Sequence, residues 1–354
     1  MAFVIAARRT AVCPRGGAFA QLSIEDLGVP VVLACLADAG LAGAQVDEVI
    51  LSNALGAGGN PARRVALAAG LPHVAGLTVD RQCAGGLDAI LLAGAVVDAG
   101  HAQVVLAGGV ESHSRRPQRS MGGVPYDQAP FTPWPDRDPD MAQAAADLAD
   151  LPGISRALQD AWAVASHAKA RHGCEIVPLA GQSRDAFARA LTLAQAARAR
   201  PITGTITAAN AAVAADAGAF CLVVSDAIAA RHPQAMRIVA GATIGADPMQ
   251  PGLAPVPAIA MVLARAGLAP HDLAQSEIME AYAVQAIACV QGAGLDPARV
   301  NLGGGALARG HPIGASGTIL AVRLFHDLQN GHGLAAIASA GGIASAVIFS
   351  RSGP

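Results

Sequence analysis

The stretch LTVDRQCAGGLDAILLAGAVVDAGHAQVVLAGGVES, residues 77–112, contains the clearest indication of the fold class. Its first residues predict a short strand that leads into Cys83. The leucine, isoleucine and valine residues after Cys83 recur at helical spacing and predict a helix with one packed face. Residues 103–112 then predict a buried strand that contains a glycine pair. A strand, a helix and a strand in succession indicate a layered α/β sheet with helices on both faces.

The same alternation of strands and helices continues on both sides of this stretch. Upstream, the sequence predicts a helix over 28–40, a buried strand over 47–53 and a helix over 61–70 that has proline in its first turn. From residue 236 onward, strands and helices alternate again. The chain therefore combines two α/β parts of similar layout.

The composition changes between the two parts, and this change predicts the domain boundaries. Residues 114–204 begin with a segment rich in proline, glycine and charge, which is typical of an excursion over the surface. We expect an N-terminal α/β half formed by residues 1–113 and 205–230, a loop domain over 114–204, and a C-terminal α/β half over 231–354.

The overall composition excludes several classes of function. Of 354 residues, 53% are hydrophobic and only 14% are charged, which predicts large buried surfaces within a core or between subunits. A net charge of −2 and an aromatic content of 3% give no basis for binding nucleic acid or an anionic membrane. The uncharged segment 328–350 is interrupted by glycines, so we interpret it as two strands and not as a membrane helix. Six cysteines without a CxxC pair predict reduced thiols in a cytoplasmic protein, with no metal site.

Cys83 is the first candidate for chemistry. It lies on a corner at or near the start of a helix, where unpaired backbone N–H groups favour a thiolate over a thiol. The same N–H groups could donate to the oxyanion of a thioester carbonyl under attack. The alternative is a small buried core residue, which is our interpretation of the other five cysteines.

His311 is the second candidate. It lies in GGGALARGHPIGASG, residues 303–317, between two glycine-rich turns and just before a helix. This position places an imidazole on a tight corner, where it can approach both a thiolate and a ligand. The alternative is a structural histidine with satisfied hydrogen bonds.

Both segments resemble those of the thiolase family. Residues 79–117 resemble the segment around the acylated cysteine, and NLGGGALARGHPIGASG, residues 301–317, resembles the family's NxxGGAIAxGHPxGASG loop. The similarity extends over essentially the whole chain. It implies a thiolase-like fold with a layered αβαβα core, in which Cys83 takes an acyl group from an acyl-CoA and His311 activates the cysteine. It implies no tightly bound cofactor.

Three positions depart from the family pattern. Ala338 stands where thiolases usually carry a second reactive cysteine, which removes an α-proton from the second acyl-CoA. Met279 replaces an asparagine that helps to hold an oxyanion-binding water, and Ala212 replaces a serine that lies near coenzyme A. An α-proton of a thioester is very weakly acidic, so its removal needs both a base and an oxyanion hole. The departures therefore predict a modified second step.

Three other residues are candidate accessory groups for that step. Glu280 and Ser339 lie next to the substituted positions Met279 and Ala338, and His113 replaces a methionine usual in the family. For Glu280 the alternative is a structural hydrogen bond, and for His113 it is a plain loop histidine. The candidates for the oxyanion hole or its loop are Gly310, Gly341 and Gly342.

Three functions follow as hypotheses. The first is a thiolase-family acyltransferase with a modified second step, which passes the acyl group to another acceptor or uses a decarboxylating donor. The second is an ordinary acetyl-CoA acetyltransferase or 3-ketoacyl-CoA thiolase that uses substitute residues. The third is a non-catalytic thiolase-like subunit. The expected partners are acyl-CoA or an acyl-carrier thioester, and the resemblance implies a homodimer or a homotetramer.

Overall fold

The computed structural model describes residues 1–150, 153–171 and 173–352. The strands are β1 Ala2–Thr10, β2 Cys13–Pro14, β3 Glu48–Ser52, β4 Leu77–Val79, β5 Val104–Ser112, β6 Arg119–Met121, β7 Val124–Tyr126, β8 Ile176–Val177, β9 Pro201–Thr203, β10 Ile206–Thr207, β11 Ala215–Ser225, β12 Met236–Gly245, β13 Leu273–Ile278, β14 Gly331–Ser339 and β15 Ile343–Arg351. The α-helices are α1 Ile24–Ala39, α2 Pro61–Ala68, α3 Gly85–Asp98, α4 Met141–Asp147, α5 Arg156–Lys169, α6 Leu193–Ala197, α7 Asp226–Ala229, α8 Pro255–Ala266, α9 Ala283–Gly292, α10 Ala306–Arg309 and α11 Ile313–Asp327.

The main sheet runs in the order β13-β14-β15-β12-β1-β11-β5-β3-β4. The two sides of this sheet show the same order of antiparallel and parallel strand pairs. From β1 outward, β11 and β5 pair antiparallel and β3 and β4 continue in parallel. From β12 outward, β15 and β14 pair antiparallel and β13 continues in parallel. The halves join through two residue pairs between β1 and β12. This repetition confirms the prediction of two similar α/β halves.

Three apolar clusters account for the layers. The central cluster packs α3 and α11 between the strands of both halves. A second cluster packs α1 and α2 on the outer face of the first half, and a third packs α8 on the outer face of the second half. Leu87 and Ile90 on α3 are fully buried in the central cluster, where each such side chain contributes about 1.5–3 kcal/mol. The layers therefore follow the predicted αβαβα order.

Helix α1 begins earlier than the predicted residue 28. The Ser23 side chain accepts from the Asp26 N–H, and Asp26 Oδ2 accepts from the Ser23 N–H at 2.9 Å. This capping box satisfies backbone donors that would otherwise be unpaired, so the helix begins at Ile24. Its end at Gly40, which has a φ of 61°, is where the sequence predicts it.

The segment after β5 contains the β6–β7 hairpin and the helices α4, α5 and α6. Its helix α5 packs on α9 and α10 of the second half through Ala163, Ala283 and Leu307. The domain boundaries drawn from the sequence stay a prediction. Within the described ranges, every helix is too short or too polar to cross a lipid bilayer. The uncharged segment 328–350 contains β14 and β15, as predicted.

Candidate active site

The first turns of the two central helices, α3 and α11, pack directly against each other at the site through their backbones. A Cβ atom on Gly86, in the first turn of α3, would lie 2.7 Å from the Gly314 carbonyl oxygen in the first turn of α11. Only glycine permits this approach. The Thr318 hydroxyl donates to the Gly86 carbonyl at 3.0 Å and closes the contact. The segments that precede the two helices, which carry Cys83 and His311, are therefore brought together.

Cys83 and His311 form a hydrogen-bonded pair. Cys83 lies in the short 3₁₀ turn Gln82–Ala84 directly before α3, and its Sγ lies 3.2 Å from His311 Nε2. The turn begins with Gln82 at a φ of 48°, an unfavourable conformation for a side chain of this type. Asp80 holds it there by accepting from the Gln82 N–H at 2.9 Å. Such a strained corner is typical of a functional position.

The tautomer of His311 follows from its other ring nitrogen. Nδ1 lies 2.7 Å from Ser316 Oγ, and the Ser316 hydroxyl lies 3.2 Å from the Pro312 carbonyl oxygen. A carbonyl can only accept, so the single hydroxyl proton of Ser316 is donated to Pro312. The Ser316 oxygen then accepts from Nδ1–H, and Nε2 carries the free lone pair that faces Cys83. His311 is thus oriented as a proton acceptor for the thiol.

Burial keeps both members of the pair neutral. It raises the pKa of the Cys83 thiol to about 12, although nearby N–H and hydroxyl donors act in the opposite direction. Burial, with a smaller contribution from His113, lowers the pKa of His311 to about 4. The expectation of a resting thiolate at the helix start is therefore wrong, because desolvation outweighs the helix end. The thiol instead donates to a neutral imidazole.

The pair lies in the wall of a cavity of about 360 Å³, which we call the cysteine cavity. Much of the cavity lining is apolar and comes from the segment after β7, from α4 and from Leu148 directly after α4. These residues are Ala129, Phe131, Met141, Ala144, Ala145 and Leu148. A largely apolar cavity with a few polar groups is typical of a small-molecule site.

Glu111 stabilises the backbone next to the site through its hydrogen bonds, and it was not among the candidates predicted from the sequence. Its carboxylate accepts from Asn53 Nδ2 at 2.8 Å and from the N–H groups of Ala54 at 3.0 Å and Gly314 at 2.9 Å. Burial raises its pKa to about 7. It joins the end of β5 to the start of α11 and so fixes the segment next to His311. The only sequence signal was a carboxylate at the end of a buried strand.

Ala338, Ser339 and Ala340 line the cysteine cavity beside Cys83. The Ser339 hydroxyl lies against the Cys83 sulfur and donates to the Arg81 carbonyl at 3.1 Å. Both contacts use the hydroxyl as a donor, so neither of them activates it as a base. The N–H groups of Cys83 and Ala340 also lower the pKa of the thiol, so both lie near the sulfur, which the sequence did not reveal.

The three glycines predicted for the oxyanion hole shape the backbone and do not line the cavity. Gly341 and Gly342 form the turn between β14 and β15, with φ values of 76° and 75°, and this turn places Ala340. Gly310 has a φ of 113°, and a Cβ there would lie 2.9 Å from Ala215 Cβ. It permits the bend that precedes His311.

The remaining predicted positions separate into two groups. Ala212 and His113 line the cysteine cavity. Met279 is 1% exposed within the central apolar cluster and does not reach the cavity. Glu280 is also away from the cavity, and its role as an accessory base is not supported by this position.

Glu280 has a structural place instead. Its carboxylate accepts from Trp162 Nε1 at 3.0 Å, Ser166 Oγ at 2.7 Å, Asn301 Nδ2 at 2.8 Å and the Leu307 N–H at 3.2 Å. Four donors satisfy both oxygens. The carboxylate therefore ties α5 to the second half of the fold.

Comparison with known proteins identifies the family of the chain. The model of the thiolase N-terminal domain matches residues 2–227, and that of the thiolase C-terminal domain matches residues 232–351. The chain is 39% identical over 368 aligned residues to the Bacillus subtilis protein named "Putative acetyl-CoA C-acetyltransferase YhfS", with 98% of each chain covered. It is 34% identical over 376 aligned residues to the Staphylococcus aureus protein named "Putative acetyl-CoA C-acetyltransferase VraB", with 99% of each covered.

Solved structures give the same result. The Bacillus anthracis acetyl-CoA acetyltransferase superposes with a TM-score of 0.90 at 31% identity, covering 99% of this chain and 98% of that one. The Acat5 thiolase of Ascaris suum, solved in complex with coenzyme A, superposes with a TM-score of 0.91 at 29% identity, covering 99% of each chain. With both domain models matched over nearly its full length, the chain belongs to the thiolase family of acyltransferases.

Proposed function

We propose that the protein forms an acyl-cysteine at Cys83 from an acyl-CoA. The Cys83 sulfur attacks the thioester carbonyl carbon while its proton passes to His311 Nε2. The carbon–sulfur bond to coenzyme A then breaks, and the CoA sulfur takes the proton from His311. The products are an acyl thioester on Cys83 and free CoA.

The observation that carries this proposal is the distance of 3.2 Å between Cys83 Sγ and His311 Nε2, with Nδ1 held by Ser316. A nucleophile, a base within hydrogen-bond reach and a third group that orients the base are the features of nucleophilic catalysis. The neutral protonation states favour proton transfer that accompanies the attack. A resting ion pair would instead require a charged thiolate in a desolvated site.

The negative charge that develops on the thioester oxygen needs donors nearby. The N–H groups of Cys83 and Ala340 lower the pKa of the thiol and so lie near its sulfur, which supports a position beside the carbonyl that the sulfur attacks. We infer that these two groups supply the oxyanion hole of the first step, where one donor typically contributes about 10²–10³ in rate.

For the complete cycle we favour the acetyl-CoA C-acetyltransferase reaction. The curated relatives that cover nearly the whole chain carry this name, which supports the ordinary reaction over a modified one. The family resemblance would place the second reactive cysteine at Ala338, so a different group must accept the α-proton. Of the substitutes considered, Ser339 and His113 line the cavity. We expect a slow second step, because a missing base typically costs about 10²–10⁴ in rate.

Two assays test the two steps separately. In the first, the protein is incubated with acetyl-CoA and isotopically labelled CoA, and label should enter the acetyl-CoA pool. Exchange requires only the acyl-cysteine, so it should occur in the wild type and not in Cys83→Ser. A folded wild-type protein that exchanges no label with acetyl-, butyryl- or octanoyl-CoA would overturn the proposal and favour a non-catalytic subunit.

The second assay follows the CoA-dependent cleavage of acetoacetyl-CoA. Turnover near the typical range of about 1–10³ s⁻¹ would support the ordinary acetyltransferase with substitute residues. Exchange without cleavage would instead support a modified second step, with another acceptor or a decarboxylating donor. We also infer a homodimer or homotetramer from the family, which sizing by light scattering tests.

A further inference from the structure

His113 connects the cysteine cavity to a second cavity. Its side chain is 8% exposed, and Nδ1 is buried without a hydrogen-bond partner among the described residues. A buried polar atom without a partner is costly and indicates an interaction that is completed by something else. His113 lines the cysteine cavity and also an adjacent cavity of about 480 Å³, which we call the arginine cavity.

The arginine cavity carries an excess of positive charge. Its charged lining residues are Arg15, Arg116, Arg119 and Asp127, which are three cations and one carboxylate. Arg116, Arg119 and Asp127 also line the cysteine cavity, so the positive charge reaches the space next to Cys83. The Arg116 and Arg119 side chains repel each other in this space unless an anion lies between them.

The carboxylate already present balances this charge poorly. Arg116 is 16% exposed and pairs with Asp127 at 2.6 Å, but the Asp127 side chain is 90% exposed to water. Such a pair is worth about 0–1 kcal/mol, so Arg116 can exchange this partner at little cost. Arg119 donates only to the Asp127 backbone carbonyl, and its guanidinium lies 5.3 Å from the centre of the Tyr126 ring. Arg119 therefore has no carboxylate partner among the described residues.

We propose that the cysteine cavity accepts acyl thioesters whose acyl chain ends in a carboxylate, and that Arg116 and Arg119 pair with this carboxylate while His113 donates a hydrogen bond to it. Arginine suits the role because its planar fork matches two carboxylate oxygens. A carboxylate that leaves water needs such partners. The proposal rests on the acylation of Cys83 and names the substrate class of that same site.

The phosphates of coenzyme A are a second source of negative charge, and the experiment has to separate them from the acyl chain. We commit to the acyl carboxylate because both arginines line the same cavity as the acylated sulfur. Thioesters of pantetheine lack the nucleotide phosphates altogether. A preference between acyl chains that the arginines create persists in these compounds. If the arginines bind the phosphates instead, they give no preference between acyl chains, and replacing them slows the reaction with CoA thioesters but not with pantetheine thioesters.

The test measures the rate of Cys83 acylation with glutaryl-CoA and hexanoyl-CoA, two thioesters of similar length that differ in the terminal carboxylate. The wild type should react with glutaryl-CoA about tenfold faster or more, as expected for one charged hydrogen-bonded pair. The double variant Arg116→Met/Arg119→Met should lose this preference, because its rate with glutaryl-CoA falls to about its rate with hexanoyl-CoA. Arg119→Lys should retain part of the preference, and His113→Met should weaken it.

The outcomes that would overturn the inference are distinct. Equal or faster reaction of the wild type with hexanoyl-CoA would overturn it without any variant, and so would an unchanged preference in the double variant. Equal slowing of glutaryl-CoA and hexanoyl-CoA by the double variant, without slowing of glutaryl- and hexanoyl-pantetheine, would assign the arginines to the CoA phosphates. Absence of acylation by these compounds and by acetyl-CoA would overturn the proposed function itself.

Discussion

His311 Nε2 lies 3.2 Å from Cys83 Sγ, although 228 residues separate the two in the sequence. The contact depends on two helix starts that meet through Gly86 and Gly314, one from each half of the fold. Each half thus supplies one member of the pair, and neither half holds a complete site.

Replacing His311 with asparagine should slow acylation of Cys83 by about 10²–10⁴, because the thiol then has no base within reach. Ser316→Ala should slow it by only about tenfold, the effect of one lost hydrogen bond that orients the ring. The rates are measured by exchange of labelled CoA, with thermal melting as the control for folding. Equal effects of the two variants would contradict the distinct roles assigned to them.

Acylation should depend little on pH across the neutral range. The buried His311 has a pKa of about 4 and the buried Cys83 one of about 12, so both are neutral between these values. As pH falls through about 4, His311 becomes protonated and can no longer accept the thiol proton. The acid side is measured by brief pH jumps, because buried neutral histidines favour unfolding below their ordinary pKa of 6.5. A limb of the profile near pH 6.5 would contradict the account.

Glu280→Gln should reduce stability and leave acylation within about twofold of the wild type. The substituted amide presents an NH₂ group to donors that require an acceptor, which costs about 1–3 kcal/mol. We expect a melting temperature lower by about 2–12 °C, given about 2–4 °C per kcal/mol. Glu25→Gln is the matched control, since Glu25 forms a surface ion pair with Arg64. A large loss of acylation without a change in melting would restore Glu280 as an accessory base.

Ala338→Cys should increase cleavage of acetoacetyl-CoA by about 10²–10⁴, since it introduces a base at the position where the family resemblance would place a second reactive cysteine. Exchange of labelled CoA should stay nearly unchanged, because the first step does not use this position. Ala281→Cys, which also lines the cysteine cavity, serves as the control and should not increase cleavage. The same cleavage rate in wild type and Ala338→Cys would show that another group already performs this step.

The sequence predicted the elements of the site better than their contacts. The corner at Cys83 and the glycine-rich turn at His311 are local features, and both are present. Ser316, which orients His311, lies only five positions further along the chain. Its role becomes clear only when α11 brings its hydroxyl to His311 Nδ1. The partners of Glu280 come from three distant segments, so no local pattern could reveal its structural role.

The protonation state of Cys83 could not be predicted from the sequence, for a different reason. A helix start favours a thiolate, and this local rule led to the wrong expectation for Cys83. The raised pKa of Cys83 arises from burial in the packed fold, and it outweighs the opposing hydrogen bonds from Ser339 and Ala340. Burial is a property of the packed molecule, so its effect on charge becomes visible only with the structure.

The proposed function depends most directly on which atom carries the acyl group. The measurement is mass spectrometry of the intact protein and of its peptides after incubation with acetyl-CoA and rapid acid quenching. We predict the mass of one acetyl group on the peptide that contains Cys83, and no gain in a folded Cys83→Ser variant. An acetyl group on any other residue, or an unmodified Cys83 in a folded wild-type protein across a series of acyl-CoAs, would contradict the central claim.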